Sequence, residues 1–250
     1  DNVQISYLPE DKGWTLALLS QAITGQIVNK GDTSPWQVNV DHFRLLIPEE
    51  PDEEVEEAEE DKEKVDLLAA IDPGLIPDMD LQVKEISKNQ QSYGNWRVKA
   101  RNKEGILYLH DIDANIHNSQ LLGNMIWDKQ GQQHKTSFSG RIFTPGVAET
   151  LTGWGYSPTI DSSYGALEAQ LAWPASPLGF DIEKSTGDFE LRVKEGEFAE
   201  APSLAGGLKI LGLLDMGRLL QRLRLDFTDI FNDEYQFDSI YAHYNITDGI

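Results

Sequence analysis

His110, Asp111, Asp113 and His117 are the residues whose types most invite chemistry, because imidazole and carboxylate are metal ligands. On a strand, Asp111, Asp113 and His117 would share one face. The same spacing also describes a solvent-facing polar stripe opposite Ile112, Ala114 and Ile116, and that reading is favoured because the spacing is generic. His42, His134 and His243 are scattered along the chain. There is no Gly-x-Ser-x-Gly, no phosphate loop and no dinucleotide fingerprint, so no catalytic residue, metal site or cofactor is assigned and a non-enzymatic role is expected. Six tryptophans could form a sugar-stacking surface, but Trp36, Trp96, Trp127 and Trp173 fall on the apolar parity of their segments, which favours packing in a core or groove.

The elements carrying these residues are short and alternating. Val3, Ile5 and Tyr7 alternate with polar neighbours; so do Trp36, Val38 and Val40, then Met79, Leu81 and Val83, and Trp96, Val98 and Ala100. Ile112 to Ile116, Leu167 to Trp173, and Phe189, Leu191 and Val193 repeat the pattern. Period-2 alternation predicts strands with one buried and one wet face. Phe43 and Leu45 switch parity after Val40, which predicts a bulge near Asp41-His42. Turn residues recur between the strands, at Tyr93-Gly94-Asn95, Lys103-Glu104-Gly105 and Asp128 to Gly131, and Glu195-Gly196 reads as a further turn. The result is a mainly β chain of antiparallel hairpins. Helices are scarce: Pro145 to Trp154 with Thr144 as N-cap, a short one at Val65 to Ile71, and a Leu-rich segment at 203–223. Gly206, Gly207, Gly212 and Gly217 weaken that last segment, which leaves two readings: a structural cap on the sheet or a gating helix along it.

Bulk properties narrow the function classes. The chain has 250 residues, 40% hydrophobic, no cysteine and a formal net charge of −21. Residues 49–64 hold 11 acidic residues against Lys62 and Lys64; this 48–64 stretch is expected to be a disordered surface loop inserted in one 1–250 unit. The remainder is still acidic, which argues against nucleic acid as a partner. No run of 18 apolar residues occurs. A chain that opens on Asp1 and stops just after a strand reads as a fragment.

Gly187, Leu191, Val193, Gly196 and Phe198, continuing through Gly206-Gly207, Leu211 to Leu214, Arg222-Leu223, Leu225-Asp226-Phe227, Asp229, Phe231, Phe237-Asp238, Ile240 and Gly249, carry a resemblance to a known family. Ala172 to Pro177 looks like that family's Trp-Pro-x-Ser-Pro turn, Leu151 to Tyr156 like its Leu-Gly-Tyr segment, and Asp72-Pro73 with Ile76-Pro77 like its Asp-Pro and Leu-Pro loop. The chain resembles the YhdP-like proteins of the AsmA-like group in Gram-negative envelopes. Glu197 stands where the family has a basic residue, and the run Asn232 to Tyr235 replaces an expected glycine.

The resemblance implies an elongated, taco-like, groove-forming antiparallel sheet of repeated β units. It implies a periplasmic location in an inner-membrane-anchored protein whose anchor lies outside this fragment. It also implies phospholipid as ligand, carried between inner and outer membrane in support of the outer-membrane permeability barrier, with components of the two membranes as further partners. Polarity selects Leu167, Leu171, Trp173, Phe189, Leu191, Val193, Leu225 and Phe227 as candidate groove-lining residues. The alternative is a closed β sandwich that docks an envelope partner and has no lipid path. Lipid identity, direction and oligomeric state do not follow from the sequence.

Overall fold

The computed structural model describes residues 3–45, 66–88, 91–154, 157–158, 160–198 and 236–247. The acidic run at 48–64, the 203–223 segment, and Leu225 and Phe227 lie outside the described residues.

The described residues build one 14-stranded sheet. It begins with β1 (Gln4–Glu10), β2 (Gly13–Leu19), β3 (Ile23–Asn29) and β4 (Trp36–Leu45). It continues through β5 (Met79–Val83), β6 (Ile86–Lys88), β7 (Gln91–Ser92), β8 (Asn95–Lys103), β9 (Ile106–Ile116), β10 (Ser119–Gln130) and β11 (Gln133–Thr144). After the helix α1 (Val147–Gly153) come β12 (Ile160–Trp173), β13 (Thr186–Phe198) and β14 (Gln236–Ile246). Spatial order follows chain order from β1 to β14, with β6 and β7 forming a side branch on β4. The sheet is open: β1 and β14 are its two ends, and its main path does not close on itself.

Two departures from simple antiparallel hairpins shape it. β4 pairs with β5 and with β6 in parallel, so the residues between Leu45 and Met79 are the crossover that a parallel pair requires. The other departure is a set of bulges. Thr24 pairs with His42 but Gly25 with Val40, which places the extra residue at Asp41, as the parity switch at Phe43 predicts. In β9, Gly123 faces Ile112 whereas Met125 faces Leu109, so His110 and Asp111 together oppose Asn124. Asp111 takes a positive φ of 51° there. This second bulge lets Leu107 and Leu109 share a face with Ile112 and Ala114 although their sequence parity differs.

Three local expectations are corrected. Glu195-Gly196 is not a turn: β13 runs through it, with Gly196 paired to Ser162 on one side and to Phe237 on the other, and Glu195 absorbs the distortion at φ 49°. The helix after β11 starts at Val147 rather than Pro145, and its N-cap position is Gly146. Thr144 ends β11 instead, and its hydroxyl accepts from the Gly146 N–H (3.0 Å) and meets the Thr150 hydroxyl at 2.7 Å. Residues 66–71 form turns rather than a helix, followed by a single 3-10 turn at Pro73–Leu75 that Asp72 caps through the Gly74 N–H (2.8 Å).

Most of the buried apolar residues gather in three clusters on one side of the sheet. Ala100, Leu107 and Trp127 lie under Leu68 and Ile76 of the crossover. Ile182, Phe189, Ala242, Tyr244 and Ile246 form a second cluster, and Ile160, Val193, Phe198 and Phe237 a third with Val147 of α1 against it.

Candidate functional site: an apolar face on an open sheet

Strand register converts the alternating sequence into continuous rows. A central row starts with Tyr7, Leu16, Ile27, Val38, Leu81 and Val98, each paired to the next across neighbouring strands. Beyond the β9 bulge it resumes as Ile112, Gly123, Gly140, Ala169, Phe189 and Tyr244. One flanking row includes Val40, Val83, Trp96 and Ala114, then Leu121, Ile142, Leu167, Leu191 and Ala242. The other includes Trp36, Met79, Ala100 and Leu109, then Met125, Phe138, Leu171 and Ile246, with Gly187 between the last two. The central row crosses twelve successive strands, a path of roughly 50–55 Å at the usual strand spacing, and the two flanking rows cross the nine from β4 to β14.

The opposite face is charged. Arg97 ion-pairs with Asp113, and Lys99 Nζ donates to Asp111 Oδ2 at 2.8 Å. Arg101 Nη2 donates to Asp80 Oδ1 at 2.6 Å, and Gln37 Nε2 donates to Asp80 Oδ2 at 3.1 Å. Burial alone would raise the Asp80 carboxyl; the hydrogen bonds from Arg101 and Gln37 outweigh it and hold the group below its ordinary range. The Gln120 hydrogen bond, with the Arg97 charge, lowers Asp113, and the Lys99 ammonium lowers Asp111. Asp111 and Asp113 therefore act as ion-pair partners on a solvated face. No cluster of three or more His, Asp or Glu with metal-site geometry occurs among the described residues.

Of the residues picked out by polarity, Leu167, Leu171, Phe189, Leu191 and Val193 share the apolar face. They divide by burial. Phe189 and Val193 are buried in clusters, while Leu167, Leu171 and Leu191 are half-buried against them. Phe189 stacks on Tyr244 with ring centroids 4.7 Å apart, and burial pushes the Tyr244 hydroxyl pKa up. Trp173 is buried at the strand end, its indole N–H donating to Ser176 O at 2.8 Å, so it closes the face rather than lining its middle. The N-terminal half of the face, Leu81 and Val98 with Ile27 and Val38, escaped the polarity selection although its alternation is as clear; register alone joins it to the rest.

The rims of the face are built by the connections. Trp127 donates its indole N–H to His134 Nδ1 at 3.0 Å, so His134 carries its hydrogen on Nε2 and donates it to Ala69 O at 2.8 Å. Asn102 Nδ2 donates to Pro73 O and Ile76 O, at 2.9 and 3.1 Å. Asp66 accepts from the Ser176 N–H at 3.1 Å and from the Ser176 hydroxyl. The two loops with family-like Pro motifs, near Asp72 and near Pro174, therefore meet along one edge.

The described residues thus form an open sheet with one apolar and one charged face. A family model described as "YhdP protein" matches residues 1–250. The "Intermembrane phospholipid transporter YhdP" of Escherichia coli (strain K12) is 26% identical over 132 residues, which is 53% of this chain and 10% of that protein. The chain thus matches about a tenth of the length of this curated relative. No solved structure matches it. With a family model spanning every residue of the sequence, the chain belongs to the YhdP family.

Proposed function

We propose that this chain is a section of a periplasmic lipid conduit, in which the three apolar rows hold phospholipid acyl chains in transit between the inner and outer membranes. The observation that carries the reading is the apolar face, offset at the β9 bulge, on a sheet that has no second sheet laid over it among the described residues. A relative described as an intermembrane phospholipid transporter supplies the ligand class.

The mechanism is passive. Each methylene that leaves water against the apolar rows gains about 0.8 kcal/mol, and successive rungs offer similar surroundings, so a chain can move along the face in small steps. Headgroups stay at the wet margin. No covalent step, metal or cofactor is needed. Leu167, Leu171 and Leu191 contact the chain directly; Phe189, Val193 and Trp173 support the floor and the rim.

Leu171→Asp and Leu191→Asp test the reading. On an open lining they abolish phospholipid binding while the circular dichroism spectrum and cooperative melt persist, because the carboxylate keeps access to water. In the closed-sandwich alternative the same changes bury an unpaired charge and unfold the chain. Unfolding of both variants would overturn the conduit reading for this section.

A further inference from the structure

Residues 66–76 form a strap along the Trp127 edge of the apolar face. Its inward side chains, Leu68 and Ile76, cover Ala100, Leu107 and Trp127, which adjoin the flanking row at Met79 and Leu109. Apart from Asp72, its exposed side chains are apolar too. Leu67 is 57% exposed, Ile71 42% and Leu75 82%, and Leu178 on the neighbouring turn is 57% exposed. The strap thus carries large apolar side chains on both its inner and outer sides, as suits a segment lying between an apolar interior and an apolar visitor.

Polar ties rather than regular secondary structure hold the strap down. At its start, Asp66 accepts from the Ser176 N–H, the Ser176 hydroxyl and the Leu68 N–H. Ser176 is itself fully buried and anchored, with its carbonyl bonded to the Trp173 indole. In the middle, Ala69 O takes the His134 hydrogen bond; at the far end Asn102 holds Pro73 and Ile76. Lys129 Nζ lies 3.4 Å from Ala69 O, placing a cation beside the apolar patch.

We propose that the strap 66–76 and the turn 174–179 form a latched side entrance to the apolar face, with Leu67, Ile71, Leu75 and Leu178 as the landing surface for a phospholipid acyl chain. The inference rests on the conduit reading and adds a route of entry. The occupant is an acyl chain because the inner side chains of the strap pack directly on the row at Met79 and Leu109 proposed to carry such chains, and because Lys129, at the Ala69 and Ile71 carbonyls, stands where an anionic headgroup would follow. Release of Asp66 from Ser176 lets the strap lift and joins the landing surface to the row at Met79 and Leu109.

The chain has no cysteine, so Asp66→Cys with Ser176→Cys gives one unambiguous lock. The measurement is uptake of a fluorescent-acyl phospholipid from vesicles of phosphatidylethanolamine and phosphatidylglycerol. Oxidation should slow uptake about tenfold or more, reduction should restore it, and lipid loaded before oxidation should stay bound. Asp66→Asn provides the converse: faster uptake, and about tenfold faster hydrogen exchange at the Leu68, Ile71 and Ile76 amides. Leu75→Asp with Leu178→Asp should slow uptake without changing sedimentation. Equal uptake in locked and unlocked forms, with lipid still bound at equilibrium, overturns the entrance and leaves the conduit standing. A change in self-association with unchanged uptake overturns it in favour of a second copy as the occupant. Absence of lipid binding in every form, the parent chain included, overturns both readings.

Discussion

Gly187 and Phe189 sit two residues apart in β13 and fail for different reasons when changed. Gly187 has φ 133°, and a Cβ there would lie 2.0 Å from the Gln170 carbonyl oxygen across the β12 pairing. Gly187→Ala therefore strains the backbone and pushes the strands apart, and is expected to cost about 1–3 kcal/mol in denaturant unfolding. Gly105, at φ 86° with nothing within 4 Å of a built Cβ, is the control: Gly105→Ala carries the conformational strain without the clash and should cost less. Phe189→Ala removes a 3%-exposed ring from its stack on Tyr244, with an expected loss of ~3–5 kcal/mol. Half-buried Leu171→Ala should be milder in stability and larger in lipid binding. That split between floor and lining was only partly legible in the sequence. Alternation places Leu171 and Phe189 on one face but says nothing of depth, which depends on Phe180 and Ile182 of the β12–β13 connection folding back onto that face.

At the scale of elements, most strands follow from alternation because a one-residue slip would turn every apolar side chain into water. The bulge at Asp41 was visible as a parity switch between Val40 and Phe43. The one at His110-Asp111 was not, because Ile112, Ala114 and Ile116 read as a complete strand on their own and hid their continuity with Leu107 and Leu109. Asp111→Val is expected to lower the melting temperature, since a β-branched residue resists the positive φ that Asp111 holds, while Asp111→Gly should be tolerated. The turn expected at Glu195-Gly196 failed because turn residues inside a paired strand bend it without reversing it. The rim loops were legible only as motifs. That Asp66 would reach Ser176, 110 residues away, is a tertiary fact with no local signature.

Asp66 makes the rim pH-dependent. Burial alone would raise its carboxyl, and the hydrogen bonds from Ser176 and Leu68 more than offset this, so its folded value lies below the ordinary one. The sign follows: its contribution is fully present above the unfolded carboxyl value of about 4 and is lost as pH falls through the lower folded value. Acidification through that window should raise hydrogen exchange in 66–76 before the β12–β13 amides respond, and Asp66→Asn should flatten the dependence.

For the whole molecule, the defining property is an apolar face about twelve strands long that the sheet does not fold over to hide. A sandwich would have used a second layer to bury these rows; among the described residues the cover is α1 and two connections at the rims. Among the described residues the ion pairs of the central strands lie on the other face, where like and unlike charges discourage stacking of the sheet. Photo-crosslinking distinguishes the two faces. A benzophenone side chain at Leu81 or Leu171 should capture phospholipid, and one at Gln82 or Gln170, on the charged side of the same strands, should not.

The most direct test of the conduit reading is native mass spectrometry of the purified chain, with organic extraction to identify what is bound. The expected result is a folded species carrying stoichiometric phospholipid, lost in the Leu171→Asp variant. A folded chain with a clean apo mass, unchanged after incubation with phospholipid vesicles, would contradict it.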